Sequence, residues 1–412
     1  MVVLNVSRPW WAVSATLMLF VLLVLLNWRE MHTVLELRHG SHDPHTGPSP
    51  THMAHSHDLR LNEIQVIGTH NSYHREISLA ERYTFEELVE QPEDYYYSHA
   101  TWSNQLSYQG VRSIEIDIHS DEKGGLYLSP LIWRLANLSN ETIPWQDEAF
   151  SKPGLKVFHV TDADTNSICH TFIECLTQLK DWSVANPGHL PITIDLELKA
   201  DANYCGRGGL CEVERWTLPR LLGIEREIHS ILPPDKLLTP DDVRRPGLTL
   251  QDTVLQFGWP TLESALSRFV FYFDNDPDNS DPQNYRNLYR ADGHDSLEGR
   301  TIFTNAVEGD ADAAFIKHNK PDVEEIGRLV KKGYFVRARA DVPISTILAH
   351  NTTMREQALQ SGAHIVSTDF PAIGMSSRWG WDYAVHFEDG LVARCNPVTA
   401  PRRCSDKLFK ES

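Results

Sequence analysis

The sequence predicts an α/β fold, a TIM-type (β/α)8 barrel, and three observations support this prediction. Short runs rich in β-branched and aromatic residues alternate with helical patterns between residues 60 and 375. Several of these runs are apolar without alternation, which is typical of parallel strands buried on both faces. Ionisable side chains recur where the runs end, and these ends form the functional face of such a barrel.

Eight runs predict the barrel strands: Glu63–Gly68, Arg112–Ile118, Leu155–Val160, Pro191–Leu198, Arg268–Phe273, Arg300–Phe303, Tyr334–Ala338 and His364–Thr368. Apolar residues at helical spacing predict helices within Thr171–Ala185, Glu212–Leu232, Asp322–Lys332 and Ser345–Gln360. The polar, turn-rich stretch from Pro277 to Asp292 predicts a surface loop.

The N-terminus carries an uncharged apolar run from Trp10 to Leu26, flanked by Arg8 and Arg29. This length matches a hydrocarbon core, so residues 1–28 are predicted to be a signal anchor (transmembrane part 10–28) or a signal peptide. The anchor is favoured because no small-residue cleavage site follows the run. Residues 29–59, rich in His and Pro, predict a linker, and residues 60–412 predict the barrel with a C-terminal extension.

The cysteines indicate the compartment of the protein, and the net charge excludes one class of partner. The six cysteines fall in three local groups, and none has C-x-x-C spacing: Cys169 and Cys175, Cys205 and Cys211, Cys395 and Cys404. An even number favours disulfides outside the cytosol, although spacing alone leaves their pairing open.

Glycosylation sequons at Asn137, Asn140 and Asn351 agree with a lumenal or extracellular body, either membrane-anchored or secreted. The net charge of −18 argues against nucleic-acid binding.

The predicted strand ends carry polar side chains that would meet at one face of the barrel: His70, Asn71, Glu115, Asp117, His119, His159, Glu197, Lys199, Arg337, Arg339 and Asp369. Glu115 and Asp117 share a face of their strand because side chains alternate with period two. Together with Glu197 and the Asn71 amide they offer an all-oxygen ligand set, which hard cations such as Ca²⁺ and Mg²⁺ prefer.

His70 and His159 are candidates for general acid–base catalysis near neutral pH. His119 shares the face of Glu115 and Asp117 and is expected to orient a ligand from behind. The segment Asp162–Asn166 begins like an EF-hand loop but lacks its later residues, because Ser167 and Ile173 stand where Gly and Glu are needed. It is therefore interpreted as a turn.

Several segments resemble those of the calcium-dependent phosphoinositide-specific phospholipases C, and especially the smaller secreted enzymes of Streptomyces. They are IGTHNSYH (Ile67–His74), IEIDIH (Ile114–His119), KVFHV (Lys156–Val160), PITIDLELK (Pro191–Lys199), FVRARAD (Phe335–Asp341), IVSTDFP (Ile365–Pro371) and ARCNP (Ala393–Pro397). The resemblance spans about Arg60 to Cys404. It implies cleavage of phosphatidylinositol lipids at a membrane surface into diacylglycerol and an inositol phosphate, with Ca²⁺ as cofactor and no obligate protein partner.

The resemblance also implies roles for individual residues. His70 and His159 match the two catalytic histidines, and Glu115 is a further candidate base. The Ca²⁺ ligands would be Asn71, Glu115, Asp117 and Glu197. Lys199, Arg337 and Arg339 would hold phosphate or inositol oxygens, since guanidinium groups bind oxyanions in pairs of hydrogen bonds. Asp369 is expected to support the site from behind.

Two other functions remain open from the residues. A glycerophosphodiester phosphodiesterase also uses a barrel, an E-x-D pair on the second strand and two histidines. A catalytically inactive barrel that binds lipid or protein is the other alternative. The complete set of histidines and carboxylates argues against the inactive barrel.

Overall fold

The computed structural model describes residues 58–138, 146–278 and 280–410, and for residues 146–148 the backbone alone. The predicted segment 1–28, the linker up to residue 57 and the sequon residue Asn140 lie outside these ranges, so what was predicted for them stays a prediction. Within the described ranges, no helix has the length and apolar character needed to cross a membrane.

Eight parallel strands form a nearly closed barrel, which confirms the TIM-type α/β fold. In chain order the strands are β1 (Ile64–Thr69), β2 (Val111–His119), β3 (Lys156–Val157), β4 (Ile192–Lys199), β5 (Phe269–Phe273), β6 (Phe303–Thr304), β7 (Phe315–His318), β8 (Phe335–Arg339), β9 (Ile365–Thr368) and β10 (Arg394–Cys395). The barrel order is β6-β5-β4-β2-β1-β9-β8-β7, and a single parallel bridge between Asn305 and Phe315 joins its two ends. Strands β3 and β10 lie outside this path.

Helices connect most of the strands. They are α1 (Arg82–Leu88), α2 (Trp102–Ser107), α3 (Leu131–Leu135), α4 (Gln146–Ser151), α5 (Phe172–Ala185), α6 (Leu218–Ile231), α7 (Pro240–Val243), α8 (Leu250–Phe257), α9 (Leu262–Ala265), α10 (Tyr285–Arg290), α11 (Val323–Lys332), α12 (Pro343–Leu348) and α13 (Thr353–Ser361). Helices α5 and α11 begin after the N-caps Thr171 and Asp322, whose side chains accept hydrogen bonds from backbone N–H groups of the first turn. The predicted helix Ser345–Gln360 is divided between α12 and α13.

The barrel interior is apolar at one end and charged at the other. On β8, Phe335 belongs to an aromatic layer, while Arg337 and Arg339 face a cavity further along the strand. On β7, Phe315 and Lys317 repeat this change. The Phe315 ring stacks on Tyr272, with ring centroids 3.8 Å apart. Residues two apart on a strand share one face, so these side chains all point into the barrel. The charged ones come later in each strand and therefore lie at the carboxyl end.

The third predicted strand, Leu155–Val160, is wrong as a barrel strand. Only Lys156 and Val157 form a strand, and they pair antiparallel with His119 and Ile118 at the end of β2. The chain then turns, and His159 donates its backbone N–H to Asp164 O at 3.2 Å. The β-rich composition of this run reflects local propensity, and propensity does not determine which neighbour a strand finds.

The strand missing from the prediction is β7. It follows β6 after a short connection without a helix, so the alternation of strand and helix that identified the other strands gives no signal here. Its pairing with β8 places Lys317 beside Arg337.

The predicted surface loop from Pro277 to Asp292 contains helix α10, and Arg286 on this helix is fully buried. Its guanidinium donates to Asp312 at 2.7 Å and 3.0 Å and to Asp310 at 2.7 Å. The charges look like those of an exposed loop, but their pairing fixes α10 against the segment before β7. The helix was missed because this pairing joins residues distant in sequence.

Breaking this buried pair is expected to destabilise the fold strongly. Arg286→Met leaves the Asp312 carboxylate buried without its main donor, and such losses cost about 3–5 kcal/mol. Urea unfolding of the variant should show a clearly lower midpoint. Arg328→Met is the matched control, because Arg328 pairs with Glu308 and Glu325 at the surface and its loss should barely move the midpoint. Equal midpoints for the two variants would contradict this reading of α10.

All six cysteines pair within their local groups, as Cys169–Cys175, Cys205–Cys211 and Cys395–Cys404. This confirms the prediction of disulfides and settles the pairing that spacing left open. Of the sequon residues, Asn137 and Asn351 are exposed.

Candidate active site

The turn after β1 presents His70 and Asn71 at the carboxyl end of the barrel. The backbone N–H of His70 continues the ladder to Thr368 O at 3.0 Å, and Asn71 then adopts a left-handed conformation with φ 44°. Asparagine tolerates this conformation better than most residues. The turn is tied to β2 because Ser72 N–H donates to Glu115 O at 3.0 Å.

The ring of His70 is held by a buried carboxylate. Its Nδ1 donates to Asp369 Oδ1 at 2.9 Å, and Nε2 lies 3.8 Å from Glu115 Oε1. Asp369 also accepts from Arg339 Nη2 at 3.1 Å. His70 and Arg339 therefore share one carboxylate, and the free edge of the imidazole points toward Glu115. The structure thus places Asp369 directly behind His70.

An acidic cluster forms because β2 and β4 are neighbours in parallel register. Glu115 pairs with Asp195, and Asp117 pairs with Glu197. Carboxylate oxygens of Glu115, Asp117 and Glu197 all lie within 4.8 Å of one another. Burial, together with the negative charges of Glu197 and Glu115, raises the pKa of Asp117 well above its usual value. Such a cluster requires a cation to keep all three groups ionised.

Two side chains of this protein partly neutralise the cluster. Arg337 is buried inside the barrel, where its guanidinium donates to Glu115 Oε2 and, at 2.9 Å, to Asn319 Oδ1. Lys199 Nζ lies 2.6 Å from Glu197 Oε1 and 3.1 Å from Asp117 Oδ2. Burial opposes ionisation of Glu197, but the neighbouring Lys199 ammonium lowers its pKa to about 2.

The donors present fit a Ca²⁺ ion. Asn71 Oδ1 and Asp117 Oδ1 are buried, and neither has a hydrogen-bond partner among the described residues. Unpartnered buried oxygens are costly unless something else binds them. Together with Glu115 and Glu197 they would offer the all-oxygen set that Ca²⁺ prefers.

Lys199 occupies carboxylates that a cation at this site would use, so the two should compete. Lys199→Met is expected to tighten Ca²⁺ binding by roughly tenfold, because removing a competing ammonium strengthens the attraction of the cluster for the metal. Isothermal titration calorimetry with Ca²⁺ on the full chain measures this directly. Lys180→Met, a lysine on the outer helix α5, is the control and should leave the affinity unchanged. Weaker Ca²⁺ binding by the Lys199 variant would refute the competition.

His159 lies on the turn after β3, beside the β1 turn. Asn71 Nδ2 donates to His159 Nε2 at 3.2 Å, while His159 Nδ1 lies 3.3 Å from Asp164 Oδ2. Burial lowers the pKa of His159, although its contact with Asp164 opposes this shift. The Asn71 amide nitrogen thus fixes one edge of the His159 ring.

Arg339 and His119 are the remaining predicted site residues, and the structure places them differently. Arg339 lines the cavity with His70, as expected for a substrate-binding residue. His119 is buried and stacks on Phe158 with ring centroids 3.6 Å apart, and its ring nitrogens have no hydrogen-bond partner among the described residues. No hydrogen bond from His119 to a predicted metal-binding residue is present among the described residues, so its orienting role stays a prediction.

The predicted site residues did not include Asp164, Lys317 or Asp274, among others. Asp164 lies in the turn that had been set aside as a failed EF-hand loop. Lys317 pairs with Asp274 and belongs to the unpredicted strand β7. For Asp274 a signal existed, because it directly follows a strand end, as the predicted site residues do.

A cavity of about 490 Å³ opens beside these groups. Its lining combines carboxylates, amides and three cationic side chains: His70, Glu115, Glu197, Asp274, Asn275, Asp276, Pro277, Asn305, Lys317, Asn319, Arg337 and Arg339. A highly polar cavity of this size suits a ligand rich in hydroxyl and phosphate oxygens.

Comparisons with solved structures identify the same fold in phospholipases. A calcium-dependent phosphoinositol-specific phospholipase C from a Pseudomonas species, in its apo form, matches with a TM-score of 0.51 at 15% identity, covering 86% of this chain and 99% of that chain. Its myoinositol complex matches with a TM-score of 0.51 at 15% identity, covering 83% and 96%. A Ca²⁺-dependent phosphatidylinositol-specific phospholipase C from Streptomyces antibioticus gives a TM-score of 0.47 at 17% identity, covering 76% and 95%.

The sequence itself identifies the family. Among curated proteins, no sequence matches this chain significantly. The family model for Ca²⁺-dependent phosphoinositide phospholipase C, however, matches residues 59–397, which include all eight barrel strands and β10. The chain therefore belongs to the Ca²⁺-dependent phosphoinositide phospholipase C family, and its activity is phosphoinositide hydrolysis with Ca²⁺ as cofactor.

Proposed function

We propose that the enzyme cleaves phosphatidylinositol in two steps, through an inositol 1,2-cyclic phosphate. The observation that carries this proposal is the pair of histidines beside the acidic cluster, each in contact with a buried aspartate, His70 with Asp369 and His159 with Asp164. Two such imidazoles can move two protons in one displacement, one at the attacking oxygen and one at the leaving oxygen.

Asn71, Glu115, Asp117 and Glu197 would hold the Ca²⁺. When bound, the ion lowers the pKa of the inositol 2-hydroxyl and offsets the charge of the phosphate. Arg339 and Lys199 would hold phosphate or inositol oxygens. Arg337 lines the same cavity, and its guanidinium also orients Glu115.

In the first step, one histidine accepts the proton of the 2-hydroxyl as its oxygen attacks phosphorus. The other histidine protonates the diacylglycerol oxygen as it leaves. In the second step water opens the cyclic phosphate and the two histidines exchange roles. Glu115 is an alternative acceptor for the first proton, since it lies 3.8 Å from His70 Nε2.

Phosphorus NMR during turnover of phosphatidylinositol tests this proposal. The cyclic phosphate should form first, and inositol 1-phosphate should follow. A 2-deoxyinositol lipid should bind without being cleaved, because it lacks the nucleophile. Rapid cleavage of the deoxy lipid would refute the intramolecular route, and turnover restricted to glycerophosphodiesters would favour the phosphodiesterase alternative.

We also propose that the membrane surface binds at the rim around this cavity. Apolar side chains are exposed on connections that begin at the carboxyl ends of strands: Leu79 and Tyr83 after β1, Leu348 after β8 and Ile373 after β9. These connections contact one another, because Ser345 on α12 donates to Asp94 at 2.9 Å and Arg378 lies 2.7 Å from Glu76. The exposed side chains thus belong to one interconnected rim.

Placing aspartate at both Leu79 and Ile373, which are 85% and 69% exposed, is expected to weaken binding to phosphatidylinositol vesicles at least tenfold. Each side chain loses apolar burial of about 1.5–3 kcal/mol. Cleavage of a soluble glycerophosphoinositol should be unchanged. Tyr108→Asp is the control, because Tyr108 is 82% exposed and precedes β2 at the opposite end of the barrel. Equal losses for the rim and control variants, measured by vesicle sedimentation, would reject the rim.

A further inference from the structure

The turn after β3 contains a buried carboxylate shared by two imidazoles. Asp164 Oδ2 accepts from His74 Nε2 at 2.8 Å and lies 3.3 Å from His159 Nδ1. Asp164 and His74 are both fully buried. Of these three residues, only His159 is partly exposed, and its Nε2 accepts from Asn71 Nδ2 at 3.2 Å.

The backbone fixes this carboxylate from both sides. Val160 and Asp164 exchange hydrogen bonds of 3.0 Å and 2.9 Å, which close the turn. On the other side, the bridge between His74 and Ser167 ties the turn to the chain leaving β1. The His74 ring packs against Tyr97 with centroids 4.5 Å apart. Asp164 and His74 therefore have a defined geometry that His159 must follow.

The carboxylate is ionised at neutral pH. Burial opposes ionisation, but hydrogen bonds and charge from His74 and His159 lower the pKa of Asp164 to about 2. An ionised acceptor at Nδ1 keeps a proton on that nitrogen and leaves Nε2 as the atom that exchanges protons with the site. The contact from Asn71 Nδ2 to His159 Nε2 agrees with this tautomer.

We propose that Asp164 is a positioning residue, which sets the tautomer and ring orientation of His159 and is itself held in place by His74. The inference rests on the proposed function, because it requires His159 to transfer protons. It adds a third layer behind the site, in which His74 orients Asp164 and Asp164 orients His159.

The test compares two substitutions in the same turn of the full-length protein. Asp164→Asn is expected to lower kcat on phosphatidylinositol on the order of 100-fold with KM changed less than roughly threefold, because the amide is a poorer acceptor for two N–H groups. Asp162→Asn is the matched control. Asp162 is also buried, but its carboxylate accepts from the backbone N–H groups of Leu131 and Leu210 and touches neither histidine. This variant should keep near wild-type kcat wherever it is folded.

Combination with His159→Ala separates positioning from structural support. If Asp164 acts through His159, Asp164→Asn should cost almost nothing further in the His159→Ala background, whereas a structural role would cost the same in both backgrounds. His74→Phe keeps the packing on Tyr97 and removes the hydrogen-bond donor to Asp164. It therefore tests the same positioning role if Asp164→Asn does not fold. It should lower kcat about threefold to tenfold, and again only when His159 is present.

The outcomes distinguish the two proposals. Wild-type activity of His159→Ala would refute the proposed function of that histidine. A strong loss in His159→Ala alongside full activity of Asp164→Asn would overturn the positioning role alone. Equal losses in Asp164→Asn and Asp162→Asn, or additive losses with His159→Ala, would also overturn it.

Discussion

Replacing His70 or His159 by alanine is expected to lower kcat by about 10²–10⁴-fold each, while the double variant loses little more. In the proposed mechanism both imidazoles serve the same displacement, so either loss should disable the transfer of both protons. His70 Nδ1 lies 2.9 Å from Asp369 and His159 Nδ1 lies 3.3 Å from Asp164, so a buried carboxylate fixes one nitrogen of each ring.

Phosphorus NMR of both product species under saturating Ca²⁺ measures this loss. His229→Ala is the control, because His229 hydrogen-bonds to Thr301 on the outer layer and should leave kcat unchanged. Independent, multiplicative losses at His70 and His159 would show that the two rings act in separate steps. That result would contradict a concerted pair.

Replacing Glu197 by glutamine is expected to weaken Ca²⁺ binding by roughly 100-fold, because Ca²⁺ affinity depends on the number of charged ligands. The side chain keeps its shape and loses only its charge, so the fold should persist. Activity of the wild-type enzyme should vanish in excess chelator and return with Ca²⁺ better than with Zn²⁺, since the site offers oxygen ligands.

Calorimetry with Ca²⁺ and circular dichroism distinguish a lost ligand from a lost fold. Glu308→Gln is a suitable control, because Glu308 pairs with Arg328 and Lys332 at the surface. Unchanged Ca²⁺ affinity in Glu197→Gln would remove Glu197 from the ligand set. Full wild-type activity in excess chelator would contradict the acidic cluster as the cofactor site.

Sequence alone was sufficient for most of the barrel. Seven of the predicted runs coincide with barrel strands to within a few residues, from β1 at Ile64–Thr69 to β9 at Ile365–Thr368. Several of these strands are buried on both faces and carry apolar runs that local pattern reveals, such as β5 (Phe269–Phe273). The E-x-D pair on β2 was visible for a different reason, since period two alone places Glu115 and Asp117 on one face.

Tertiary structure alone decided which segments pair and which distant groups meet. The run at Leu155–Val160 and strand β7 at Phe315–His318 differ little in local propensity, but only β7 finds parallel neighbours in the barrel. Asp164 is an ordinary turn residue in the sequence, and it becomes a partner of His74 and His159 only when the turns after β1 and β3 pack together. Strand pairing and side-chain convergence depend on contacts between residues far apart in the chain, and a local pattern does not encode them.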